Sequence, residues 1–104
     1  MDLKNLVAQA QEMQQRAQQV EASLLKLTVT GSSGGGMVTV ETDGKGHVKK
    51  VRIEPAAVNP ADVEMLEDLI TVAVADAQKK AADAAQGEMR SLMGGITLPF
   101  PLSF

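Results

Sequence analysis

The sequence predicts an α+β protein: a long helix, a three-stranded antiparallel sheet and a second long helix, in that order. Three observations predict it. Leu3, Leu6, Ala10, Met13, Ala17, Val20, Leu24 and Leu27 recur at alternating spacings of three and four, the seam of a helix that packs on another helix. Between residues 27 and 54, β-branched residues alternate with polar ones and are broken by glycine clusters. A second helical stripe then runs through Leu66, Leu69, Ile70, Ala73, Ala77, Ala81 and Ala84.

The first helix is filled between its apolar positions by Gln, Glu and Arg, all good helix formers, and Asp2 stands where its charge suits the exposed amides. From Leu27 onward β-branched residues take over, so the helix should end near Lys26. Strands are expected at 27–30, 37–42 and 47–54. In the second, Val38, Val40 and Thr42 share one face. In the third, strict alternation puts Val51 and Ile53 with His47 and Lys49, and Val48 with Lys50, Arg52 and Glu54. Asp43-Gly44-Lys45-Gly46 signals a hairpin turn, and residues 31–36 should join the first two strands. For the second helix Asn59 is the expected cap, with Pro60 in the first position and Asp62 supplementing the cap. Gly87 should weaken its end and Gly94-Gly95 stop it; prolines 99 and 101 then exclude regular helix. Residues 1–93 are thus one dimerising domain and residues 94–104 a Gly/Pro-containing apolar tail, either flexible or docked as an extended strap.

Lengths decide the assembly. Helices of about 25 and about 30 residues span roughly 37 and 45 Å, against roughly 20–27 Å for strands of six to eight residues. Both helices must overhang the sheet, and the natural cover for an overhanging apolar stripe is a second copy. The packing residues expected there are Leu6, Met13, Val20, Leu24, Leu66, Leu69, Ala73 and Ala77. The alternative is a single chain whose helices form a hairpin with the sheet at one end.

Composition bounds the chemistry. The chain has 104 residues, no Cys, Trp or Tyr, and only Phe100 and Phe104 as aromatics. Disulfide and thiol chemistry are excluded. The start, Met-Asp-Leu-Lys-Asn, lacks a signal-peptide pattern, and no apolar run approaches the ~18 residues of a membrane span. A cytoplasmic chain off the membrane is the expectation. The net charge of −3 gives no global attraction to nucleic acid. Yet residues 43–52 carry four basic side chains against one acidic, while residues 53–104 carry three against eight. Lys45, Lys49, Lys50 and Arg52, with His47 among them, are therefore the place where an anion can be held.

The stretch "TVTGSSGGGMVTVETDGKG" has the look of a phosphate loop, but no lysine follows the glycines and a strand, not a helix, comes next. Three glycines offer positive φ to a strand connection instead. The loop can still touch a phosphate backbone by its amides.

Three segments, "AQAQEMQQRAQQVEASL" (8–24), "VTGSSGGGMVTVETDGKGHVKKVRIEP" (29–55) and "EMLEDLITVAVADAQKKA" (64–81), together with the Gly-rich tail, resemble the YbaB/EbfC family of bacterial nucleoid-associated proteins. The resemblance spans nearly the whole chain; Ala17 departs from it, where relatives often carry methionine. It implies a dimer with a shared central sheet and tweezer-like projecting helices. It also implies double-stranded DNA binding in nucleoid organisation or expression control.

Enzymatic readings find little support. His47, the single histidine, follows a turn glycine among basic neighbours, and a general base needs a defined partner and cleft. Glu64, Glu67 and Asp68 mimic a carboxylate cluster, but helix N-terminal turns favour acidic residues anyway. The methionines at 13, 65, 89 and 93 suit apolar helix faces. No cofactor or metal is expected. The Lys45–Arg52 cluster is read as phosphate-contacting side chains, or else as a solvated strand face or a charge partner for the acidic second helix; Lys4, Arg16, Lys79 and Lys80 are secondary candidates. Phosphate contacts fix position without reading bases, so binding should tolerate sequence and respond to salt. The competing function is a protein-interaction adaptor for a nucleoid, replication or recombination factor, using the acidic helix and the apolar tail.

Overall fold

The computed structural model describes residues 2–93. Helix α1 (Leu3–Lys26) is followed by strands β1 (Val29–Ser33), β2 (Val38–Thr42) and β3 (Val48–Ile53) and by helix α2 (Val63–Met93). The strands form one antiparallel sheet in the order β1-β2-β3. Residues 94–104, with the Gly94-Gly95 stop, the tail prolines and both phenylalanines, lie outside the described residues.

Helix α1 begins where Asp2 Oδ1 accepts the Lys4 amide at 3.1 Å and ends at Lys26, the point where β-branched residues begin. Its stripe finds little cover. Leu24 is its one buried residue, Val20 is half-buried, and Leu3, Leu6, Val7 and Met13 are exposed.

Strand β1 runs further than the sequence predicts, through Gly31 to Ser33 rather than stopping at residue 30. Helix α2 is the reason. A Cβ on Gly31 would stand 2.2 Å from the Ala77 nitrogen, so the glycine serves as a flat seat for the helix backbone and not as a turn. Two clamps hold the pair: Ser33 Oγ donates to the Leu69 carbonyl at 2.5 Å, and the Ser32 amide donates to Asp76 Oδ2 at 3.0 Å. The turn itself is made by Gly34, Gly35 and Gly36, at φ of 60°, 67° and 97°, a run of left-handed conformations that residues with a Cβ resist.

The second hairpin closes over residues 43–47. Asp43 organises it, its Oδ1 accepting the amides of Lys45 (2.8 Å) and His47 (3.0 Å). Strand β3 carries a bulge: Glu41 pairs with Lys50, but Thr42 pairs with Val48. Lys49 is the extra residue, and Val48 comes back to the face of Thr42. Strict alternation had put Val48 with Lys50 and Arg52; the bulge reverses that assignment.

Asn59 does not cap α2. Its side chain accepts the Ala61 amide and its carbonyl the Asp62 amide, forming a turn ahead of the helix. Asp62 is the cap, accepting the Met65 amide at 3.2 Å, and the helix starts at Val63. Gly87 sits inside the helix without breaking it.

The core is small. Val38, Val40, Ala73 and Ala77 are fully buried, with Ile53, Leu66, Leu69, Ile70 and Val74 packed around them. The described chain measures 70 × 26 × 16 Å, and its radius of gyration of 19.6 Å far exceeds the ~13 Å of a compact 100-residue domain.

Candidate nucleic-acid interface

Helix α2 covers one face of the sheet, the one lined by Gly31, Ser33, Val38 and Val40. Alternation sends the other residues outward: Thr30 and Ser32 from β1, Thr39 and Glu41 from β2, Lys50 and Arg52 from β3. Thr39 stands opposite Arg52 and Glu41 opposite Lys50, and these four wall a shallow hollow. This face is flat and polar, with two cations to one carboxylate.

The structure divides the basic cluster that the sequence presents as one run. Lys45 Nζ pairs with Glu21 on α1 at 2.5 Å, and this cation holds the Glu21 carboxyl below its ordinary range. The His47 ring lies with Nδ1 2.9 Å from Asp43 Oδ2. Burial pushes the Asp43 carboxyl up, but hydrogen bonds from the His47 amide and ring and from the Lys45 amide outweigh it, and the group ends more acidic than usual. Lys49, displaced by the bulge, donates to the Leu27 carbonyl at 2.9 Å and so ties β3 to the end of α1. The side chains of Lys50 and Arg52 make no hydrogen bond or ion pair among the described residues and are exposed. Three of the five candidates thus have partners within the fold, and the side chains of the other two have none among the described residues.

The secondary candidates divide the same way. Arg16 pairs with Glu12 (2.7 Å) and Lys80 with Asp76 (3.0 Å). Asp76 is made more acidic by the Ser32 amide first and by Lys80 next. The ammonium groups of Lys4 and Lys79 have no partner among the described residues. Lys26, which the sequence reading passed over, is the basic residue of the last turn of α1 and is exposed. A cation there also suits the helix dipole, which hides any second use.

Of the residues expected to pack a dimer, Ala73 and Ala77 are buried in the chain's own core, with Leu66 and Leu69 against it. Leu24 is buried at the end of α1, Val20 half-buried, and Leu6 and Met13 exposed. Among the described residues no three His, Cys, Asp or Glu side chains come together as a metal site, and no helix is long and apolar enough to cross a membrane. Glu64, Glu67 and Asp68 are exposed along the first turns of α2.

Comparison with known proteins agrees with this architecture. A nucleoid-associated protein of Gemmatimonas aurantiaca is 49% identical over 104 residues, covering all of both chains. One from Gluconacetobacter diazotrophicus is 44% identical over 103 residues, 99% of this chain and 96% of that one. The crystal structure of the uncharacterized protein HP0035 from Helicobacter pylori has the same fold, with a TM-score of 0.79 at 24% identity over 90% of this chain and 99% of that one. The profile of the YbaB/EbfC DNA-binding family matches residues 1–96, and with the whole-length relatives it establishes that the chain belongs to this family of nucleoid-associated proteins.

Proposed function

We propose that the chain acts as a homodimer that grips the phosphate backbone of double-stranded DNA with little regard to sequence, catalysing no reaction. It would serve in the cytoplasm, at the nucleoid, in DNA organisation or expression control. The observation that carries this reading is the sheet face that the described residues leave uncovered, where the side chains of Lys50 and Arg52 have no partner among them and stand beside the hydroxyls of Thr30, Ser32 and Thr39. Cations and hydroxyls donate to phosphate oxygens, contacts that fix position on the duplex without reading its bases. Lys4, Lys26 and Lys79 extend the contact along the helices, and Arg16 and Lys80 join it by exchanging their carboxylate partners.

The dimer is supported by what α2 leaves open. The helix lies over β1 and β2, so Val48 and Val51 of β3 remain 46% and 42% exposed on the same side, beside a strand edge with no neighbour among the described residues. A second copy across that edge covers both and satisfies the edge amides.

A two-fold dimer presents Lys50 and Arg52 twice, giving four phosphate contacts and about −3.6 in the slope of log K against log salt. Fluorescence anisotropy of a labelled duplex tests this. Replacing Lys50 and Arg52 by alanine should flatten the slope by about that amount, while Lys45→Ala leaves most of it. An unchanged slope in the double variant refutes the assignment.

A further inference from the structure

The first half of α1 carries an apolar stripe with no partner among the described residues. Leu3, Leu6, Val7 and Met13 are 73%, 43%, 50% and 37% exposed, and Leu3 and Val7 help wall a shallow, mainly apolar hollow with Lys4, Ala8 and Gln11. The other end of the helix is anchored: Leu24 shares a hollow with Ala82 and Ala85 of α2, and its carbonyl accepts the Gly44 amide at 2.7 Å.

The dimensions say where the stripe lies. From Val63 to the level of Ala82, α2 runs about 30 Å, and from Leu24 back to Leu3, α1 runs about 32 Å. Only laid end to end do these approach the 70 Å long axis, and the other axes of 26 and 16 Å exclude a crossed arrangement. Folded back over the start of α2, α1 would add nothing to the ~46 Å of that helix. So α1 projects beyond the C-terminal end of α2, and Met93 comes level with about residue 14 of α1.

We propose that residues 96–104 form an extended strap seated on the α1 stripe of the same chain. Ile96, Leu98, Phe100, Leu102 and Phe104 alternate with Thr97, Pro99, Pro101 and Ser103, which puts every large apolar side chain on one side of an extended segment. The prolines disfavour helix, and the glycines at 94 and 95 leave the chain free to reverse after Met93. The strap carries no charged side chain, and the stripe it would cover is apolar. The length suffices. Crossing from one helix to its neighbour takes about 10 Å and running from the level of residue 14 to Leu3 about 17 Å, against roughly 36 Å for eleven extended residues. A tether this short keeps the strap at millimolar effective concentration, which favours its own chain over a second copy. This inference does not depend on DNA binding.

The chain has no cysteine, so paired substitutions report the contact cleanly. In the full chain, Leu6→Cys with Phe100→Cys should close an intrachain disulfide on mild oxidation, roughly tenfold faster than Asn5→Cys with Phe100→Cys, as a short tether with a seated face requires. Interchain products of twice the mass, equal rates for the two pairs, or no disulfide would each overturn the proposal. A second measurement guards against misfolding. Changing Ile96, Leu98 and Phe100 together to serine should speed amide exchange of residues 3–13 about fivefold or more and leave residues 66–81 unchanged; unaltered exchange in residues 3–13 also overturns it.

Discussion

Gly31→Ala should be among the most damaging single-methyl changes available to this chain. The added Cβ would lie 2.2 Å from the Ala77 nitrogen, 2.6 Å from its Cα and 2.7 Å from the Ala73 carbonyl oxygen. Ordinary contact begins near 3.4 Å, so α2 must lift from β1 by more than an ångström. The atoms in the way are helix backbone, which has no rotamer to change. Lifting the helix also loosens Ala73 and Ala77 over Val38 and Val40, the whole of the fully buried cluster, and stretches the Ser33–Leu69 and Ser32–Asp76 hydrogen bonds. Overpacking against helix backbone falls at the upper end of the usual range, about 3 kcal/mol, and for a domain of this size that lowers Tm by roughly 12–24 °C. Urea and thermal unfolding followed by far-UV circular dichroism measure it. Gly35→Ala is the control: nothing lies within 4 Å of its Cβ, so only the strain of φ +67° remains, costing about 1 kcal/mol. A Gly31→Ala protein as stable as the parent would refute the close seat of α2 on β1.

Other outcomes follow from the same geometry. Ser33→Ala removes the bond to the Leu69 carbonyl and should cost about 1 kcal/mol in urea melts. Asp43 is more acidic folded than unfolded, so its contribution is present above the ordinary value of 3.8 and fades as pH falls through the lower folded value. Asp43→Asn should therefore lower Tm at neutral pH, and the gap to the parent should close in strong acid; a gap independent of pH contradicts the role given to the carboxylate. Val51→Glu should leave the secondary structure intact and reduce the mass seen by light scattering to the 11.0 kDa of one chain.

Much of this fold is legible in the sequence. The α1 stripe, the switch to β-branched residues at Leu27 and the Asp-Gly turn each state one local preference, and nothing in the tertiary structure opposes them. The departures share a cause, which is contact between distant residues. Gly31 reads as a turn residue because its reason for being glycine, the backbone of Ala77, lies 46 positions away. The bulge at Lys49 has no local signal, yet it decides which basic side chains share a face. Asn59 and Asp62 both suit a cap, and the turn that takes up Asn59 decides between them. The basic run was visible as composition. Its division into bracing groups (Lys45, His47, Lys49) and open ones (Lys50, Arg52) needed Glu21, Asp43 and Leu27 in place.

The most direct test of the account is a salt series of anisotropy titrations of unrelated labelled duplexes with the intact chain, with light scattering on the same samples. The account predicts saturable binding by a two-chain unit, similar affinity for each duplex, and weakening as salt rises. A well-folded dimer that leaves every duplex unbound at low salt, or affinities that ignore salt, would contradict it.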